Sequence, residues 1–199
     1  MKKLISLLVF TSLAMTATDS FSYNSEPKIF ILELVNDATK TLGDKNVSKA
    51  NKKKKIESIA LENVDIDALG MYTLGEIRKT LDQDVLKKYK ELFKNYFLKS
   101  LTSRLTDYSK NKFEVMSSEQ KSETYTIVRS KIAESSSQPE IKIDWRVYTK
   151  DPSKPLIRDL IVEGLSLAKT QKEEFASILN SNNKDINILF SKLEEFINN

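Results

Sequence analysis

The spacing of apolar residues changes from a helical repeat to a strand repeat near Asn111. Between Asp82 and Tyr108, apolar side chains recur every three or four residues, which predicts one long amphipathic helix with a strongly aromatic face. After Asn111 the repeat falls to two. It is most regular in residues 141–148, which predicts a strand with Trp145 and Val147 on a buried face and Asp144 and Arg146 on a solvent-facing one. Helices and strands that occupy separate parts of a chain indicate an α+β fold.

Further helices are predicted on both sides of the strand region. One of them, beginning at Asp65, contains Gly70 and Gly75. Each glycine costs about 1 kcal/mol relative to alanine in a helix, so we expect a break or a close backbone approach there. Alternation between apolar and polar residues is typical of an antiparallel sheet, and we predict a twisted sheet of about four strands packed against a set of helices. The predicted helices cover 27–43, 48–61, a segment from 65, 82–108, 167–180 and 184–196, and the strands begin near 113, 124, 141 and 156.

The composition excludes several kinds of active site. The chain has no cysteine and no histidine, and only four of its 199 residues are glycine. A disulfide framework, a Ser-His-Asp triad and a zinc site built on these ligands are therefore excluded. Any chemistry would have to come from carboxylates, hydroxyls, lysine or arginine.

The candidate catalytic residues fit structural roles better. Asp159 and Glu163 lie four residues apart on a predicted strand, about 13 Å from each other, which is too far for a glycosidase pair. Asp144, near Arg146, is interpreted as one partner of a cross-strand ion pair. Ser166 precedes a lysine by three residues, but the other motifs of serine enzymes with that spacing are absent. We predict no catalytic residue and no metal site.

The N-terminus resembles an export signal. Two lysines are followed by an apolar stretch that extends to about Met15 and is too short to span a membrane as a helix. We predict a signal peptide over residues 1–22, with cleavage after Ser22 or alternatively after Ala17, and a single domain over residues 23–199. The expected location is the periplasm.

The charge is mildly basic, with a formal net charge of +4. The densest basic run is Lys52–Lys55, which is either a solvated helix face or a surface attracted to anionic lipid headgroups. Nucleic-acid binders interleave basic and aromatic residues, and this run does not, so no nucleic-acid partner is expected.

The order of several motifs resembles one known family. The run Arg158–Leu167 reads as an aspartate, three apolar strand residues, an acid-glycine pair and an apolar-serine-apolar triplet. It is followed by Glu174–Ile178 and preceded by Leu74-Gly75 and by the helical run Tyr89–Phe97. Together these motifs, over roughly residues 27 to 197, resemble the MlaC family, also called toluene-tolerance auxiliary proteins. Members of the family often have an aromatic residue two or three positions after the Leu-Gly pair. In this chain Glu76 and Ile77 follow the pair instead.

This resemblance implies a fold and a function. The fold is a strongly twisted antiparallel sheet against helices, with a deep apolar cavity for acyl chains between them. The function is that of a periplasmic phospholipid carrier, a monomer and not an enzyme, that binds phospholipid as cargo and uses no cofactor. Its expected partners are an inner-membrane complex of permease, ATPase and substrate-binding ring, and an outer-membrane lipoprotein associated with a porin. Shuttling between them would maintain the lipid asymmetry of the outer membrane.

Two other functions remain open on the residues alone. One is a periplasmic enzyme that acts on a hydrophobic substrate with carboxylate chemistry, and the other is a chaperone or adaptor with an apolar groove. The candidate lipid-binding residues are apolar or aromatic side chains that would otherwise form ordinary core. They are Leu69, Met71, Tyr72, Leu74, Phe93, Phe97, Leu101, Tyr125, Trp145, Val147, Ile161 and Leu165.

Overall fold

A computed structural model describes residues 22–105, 112–134 and 139–199 of the chain. The predicted signal peptide and the end of the long predicted helix beyond residue 105 lie outside the described residues. The helices in this part of the chain are α1 (Pro27–Gly43), α2 (Lys49–Asn63), α3 (Ile66–Leu74), α4 (Gln83–Leu105), α5 (Leu167–Ser181) and α6 (Ile186–Asn198).

Several of the predicted helices begin at a capped first turn. The Glu26 carboxylate accepts hydrogen bonds from two backbone N–H groups at the start of α1, where Pro27 occupies a first-turn position. Ser48 caps α2 and Ser166 caps α5 in the same way. Within the described ranges, no helix is both long enough and apolar enough to cross a membrane.

The strands form one antiparallel sheet in which each strand pairs with the next along the chain. The sheet has five strands rather than the predicted four. The additional strand, β5, has only two residues and therefore carries no periodic signal. It turns back on β4 through Glu163 and Gly164, which both have positive φ. The strands are β1 (Phe113–Ser122), β2 (Tyr125–Ile132), β3 (Ile141–Tyr148), β4 (Leu156–Val162) and β5 (Leu165–Ser166).

Two apolar clusters hold the molecule together. The first lies between α1, α2 and one face of the sheet, where Phe30 and Ile31 pack with Val128 and Val147. The second lies among α3, α4, α5 and α6 and contains the aromatic face predicted for the long helix. At its centre, the Phe93 ring lies 5.8 Å from that of Tyr89 and 6.4 Å from that of Phe175.

The two glycines of α3 act differently. A Cβ atom at Gly70 would lie 2.8 Å from the Phe93 ring, so this glycine allows α3 to approach α4 closely. Gly75 has a φ of +66° and ends α3, after which the chain forms a 3₁₀ turn over Gly75–Lys79. The helix therefore shows both features that the sequence predicted as alternatives.

The two faces of β3 have different surroundings. Trp145 and Val147 lie on the face that packs against the first cluster, as the alternation predicted. Asp144, Arg146 and Tyr148 lie on the opposite face, where they are half-buried rather than fully exposed to solvent. This second face is therefore partly shielded from solvent.

Candidate functional site

A groove runs across the sheet face opposite α1. It consists of two cavities, of about 540 Å³ and about 240 Å³, which share Tyr125 and Arg146 in their walls. We call the two together the sheet groove. The larger cavity is lined by Lys121, Ser122, Tyr125, Ile127, Arg129, Asp144, Arg146 and Ile161, and the smaller by Ala68, Leu69, Tyr72, Tyr125, Arg146, Arg158, Asp159 and Ala168.

The floor of the sheet groove is apolar. Ile127 on β2 and Ile161 on β4 lie on this face of the sheet, on either side of β3. The long side chains of Arg129 and Arg146 add their aliphatic stems while their charged ends remain half-exposed. The larger cavity thus combines an apolar floor with a charged rim, and its size is typical of a ligand pocket.

A β-bulge brings two consecutive charged residues to the smaller cavity. The pairing of β3 with β4 shifts register between Arg146 and Val147, which leaves Arg158 outside the regular ladder. Side chains of consecutive strand residues normally point to opposite faces. Here Arg158 and Asp159 line the same cavity.

Asp159 fixes the start of α5 beside the groove. Its side chain is almost completely buried, and it accepts hydrogen bonds from the Ser166 hydroxyl (2.6 Å) and the Ala168 backbone N–H (3.0 Å). Arg146 lies 3.5 Å away and compensates its charge. The Ser166 hydroxyl also accepts a hydrogen bond from the Lys169 backbone N–H. Both Ser166 and Asp159 therefore have helix-capping roles rather than the arrangement of a nucleophile and its base.

Arg158 fixes the start of α3 in a similar way. Its guanidinium group lies over the Tyr148 ring, 3.4 Å from the ring centroid, and bonds to one carboxylate oxygen of Asp65 at 2.6 and 2.7 Å. Partial burial lowers the pKa of Arg158, but its interactions with Tyr125 and Asp65 outweigh this effect and raise the pKa above its usual value. The side chain is therefore a permanent positive charge in the groove wall.

The structure divides the predicted lipid-binding residues among several places. Four of them line the sheet groove: Leu69, Tyr72, Tyr125 and Ile161. Three are fully packed in the two clusters: Leu74, Phe93 and Val147. Three are partly buried at the edges of those clusters: Phe97, Leu101 and Trp145. Met71 is half-buried on α3, and Leu165 is 68% exposed on β5. Their role in lipid binding stays a prediction.

Sequence reasoning missed the polar part of the groove. Ile127 and Arg129 share a strand face with Tyr125, so period-two spacing from a predicted residue could have identified them. The interpretation of Asp144 as one partner of a cross-strand ion pair is wrong, because Arg129, directly across on β2, bonds to Glu119 and Arg146 pairs with Asp159. Among the described residues, no cluster of acidic side chains could hold a metal ion.

The fold and the groove define an α+β protein whose sheet carries, on one face, a groove with an apolar floor and a charged rim. A sequence model of the family described as MlaC protein matches residues 32–195, and the chain belongs to this family. The structure is also similar to a phospholipid-binding protein from Ralstonia solanacearum that was solved in complex with a phospholipid. The TM-score is 0.70 at 16% sequence identity, over 87% of this chain and 97% of the other, which establishes a shared fold. A search among curated proteins finds no match.

Proposed function

We propose that this protein is a periplasmic phospholipid carrier that binds its cargo in the sheet groove. Three observations support the proposal: membership of the MlaC family, a shared fold with a phospholipid-binding protein, and a groove with an apolar floor and a charged rim. The groove carries most weight, because an amphipathic ligand needs both surfaces in one place. No reacting group is required for this role, and we propose that the protein is not an enzyme.

The energetics of such a site suit reversible binding. Each CH₂ group removed from water contributes about 0.8 kcal/mol, so acyl chains would leave water for the groove very favourably. The relevant reference state, however, is a bilayer in which the chains are already dry. Net transfer from membrane to protein is then close to neutral, and the direction of transport has to come from partner proteins and ATP hydrolysis.

We extend the proposal to the pathway that the family resemblance implies. The carrier would accept and deliver phospholipid between an inner-membrane complex of permease, ATPase and substrate-binding ring and an outer-membrane lipoprotein–porin complex. Export by the N-terminal signal peptide would bring it to the periplasm between the two. The result would be maintenance of lipid asymmetry in the outer membrane.

The first experiment is identification of the bound ligand. The full chain is expressed, the exported protein is purified from the periplasmic fraction, and native mass spectrometry is followed by organic extraction. We expect one diacyl phospholipid per protein. A folded protein that carries no lipid and extracts none from liposomes would contradict the proposal and favour a chaperone or an enzyme.

A pair of variants tests the position of the site. Ile161→Glu places a charge on the half-buried floor of the sheet groove and should abolish lipid retention, because a carboxylate would have to be desolvated by an acyl chain. Leu61→Glu is the matched control, since Leu61 is 50% exposed on α2. It should retain full lipid. Full lipid in Ile161→Glu would place the acyl chains elsewhere in the molecule.

A further inference from the structure

Asp144 is an acidic residue of the sheet groove that has no close partner among the described residues. Its carboxylate is half-buried in the wall of the larger cavity, and within the described ranges it forms no hydrogen bond and no ion pair within 4.0 Å. A half-buried carboxylate keeps oxygen lone pairs that can accept hydrogen bonds from a ligand. Asp144 therefore has an unused capacity to bind a cation.

The arginine directly opposite Asp144 on the sheet already binds another acid. Arg129 faces Asp144 directly in the register of β2 and β3, and it senses the negative charge of Asp144. Its guanidinium group nevertheless bonds to Glu119 on β1, at 2.7 Å. Glu119 also pairs with Lys121, so the cations on this side of the groove are held by another acid.

Arg146 offers a positive group at a fixed distance from Asp144. The two residues are separated by one position on β3 and lie on the same face, about 7 Å apart at the rise of a strand. The Arg146 guanidinium lies 3.5 Å from a carboxylate oxygen of Asp159, and its side chain is 43% exposed. Because a guanidinium has five N–H donors, donors remain for a ligand.

We propose that Asp144 and Arg146 together bind the headgroup of a phospholipid that carries a primary amine, such as phosphatidylethanolamine. Arg146 takes the phosphate, and Asp144 accepts hydrogen bonds from the ammonium group. This inference rests on the proposed function and specifies which lipid the same groove selects. The Asp144 carboxylate matches the ammonium group and the Arg146 guanidinium matches the phosphate. In the headgroup these two charges are only a few covalent bonds apart.

Other headgroups fit the same surface less well. An anionic lipid without an amine, such as phosphatidylglycerol, leaves Asp144 unpaired, and no ammonium group offsets the repulsion between its phosphate and that carboxylate. A quaternary amine has no N–H to donate, and proteins recognise it instead with open aromatic faces. Of the three tyrosines in this region, Tyr148 lies under Arg158 and packs edge-on against Tyr125, and Tyr72 lies under Lys172.

Competition between lipids tests the inference. The exported protein is incubated with vesicles that contain equal amounts of phosphatidylethanolamine and phosphatidylglycerol of the same acyl composition, and bound lipid is quantified by mass spectrometry. We expect an excess of phosphatidylethanolamine in the wild-type protein. Asp144→Asn should reduce the bound ratio about tenfold, the amount that corresponds to about 1.4 kcal/mol and to one modest hydrogen bond between charged groups.

Two further variants complete the test. Glu173→Gln removes an exposed acid on α5, away from the groove, and should leave the ratio unchanged. Asp144→Lys should reverse the preference towards phosphatidylglycerol, and circular dichroism checks that its fold is retained. Equal ratios in wild type and Asp144→Asn, with normal lipid load, would overturn the headgroup assignment and leave the carrier function intact. Absence of any bound lipid in the wild type would overturn both.

Discussion

At the scale of single residues, Tyr89 shows how the helical layer is held together. Its ring is completely buried, and its hydroxyl lies 2.9 Å from the Thr73 hydroxyl and 3.1 Å from the Gly70 carbonyl oxygen, to which it donates. It thereby joins α4 to the middle of α3. Burial raises the pKa of Tyr89 above its usual range, because the charged phenolate would lose its hydration.

We predict that Tyr89→Phe destabilises the protein by about 1 kcal/mol at neutral pH, the usual net contribution of a hydrogen bond. The difference in unfolding free energy between the wild type and Tyr89→Phe should become smaller at alkaline pH. Since the pKa is higher in the folded state, only the unfolded wild-type tyrosine ionises as the pH passes 10, and wild-type stability then falls by up to about 1.4 kcal/mol per pH unit. Urea unfolding of both proteins between pH 8 and pH 11 measures this. A constant difference across the range would contradict it.

At the scale of elements, Asp65 couples a helix to the sheet. One of its carboxylate oxygens accepts a hydrogen bond from the Ala68 backbone N–H and caps α3, while the other binds Arg158 on β4. Its own N–H donates to the Ile157 carbonyl oxygen at 2.9 Å. Because Ala68 and Leu69 of α3 line the smaller cavity, this junction also sets the width of the sheet groove.

The two roles of Asp65 can be separated by substitution. Asp65→Asn keeps an oxygen for the cap and should cost about 1 kcal/mol through the lost charged interaction, whereas Asp65→Ala should cost about 1 kcal/mol more. In an Arg158→Met background, Asp65→Asn should cost almost nothing, because its partner is gone. Urea unfolding of the four combinations gives the coupling free energy. An equal cost of Asp65→Asn in both backgrounds would show that the ion pair does not hold α3.

The elements that could be predicted from the sequence are those with a sustained repeat. The long helix α4 and the strand β3 both have one, and the structure contains both close to their predicted positions. β5 is too short to have a repeat. The groove depends on a register shift between β3 and β4, which follows from pairing between distant residues and not from the local pattern. Phe93 and Leu101 have the same spacing signal, yet only tertiary packing decides that they belong to different clusters.

At the scale of the whole molecule, the cores and the groove use different surfaces. One sheet face packs against α1 and α2, whereas the groove occupies the opposite face and is bordered by the first turns of α3 and α5. The apolar side chains that stabilise the fold are therefore largely not those that line the groove. Substitutions on the groove floor can change ligand binding with little loss of stability, which makes the Ile161 variant informative.

The predicted N-terminus of the mature chain lies against α1. Tyr23 is the first residue after the predicted cleavage site, and its hydroxyl donates to the Asp37 carboxylate at 2.7 Å while its ring packs edge-on against Phe30. Cleavage after Ser22 would thus preserve the contacts of Tyr23 with α1. We expect the protein purified from the periplasm to begin at Tyr23, as measured by intact mass and N-terminal sequencing.

Replacing Ser20 and Ser22 with leucine should block processing, because the cleavage site requires small residues. In the wild type, a mature chain that begins at Thr18 would instead identify Ala17 as the cleavage site. An unprocessed wild-type chain would contradict export by this route.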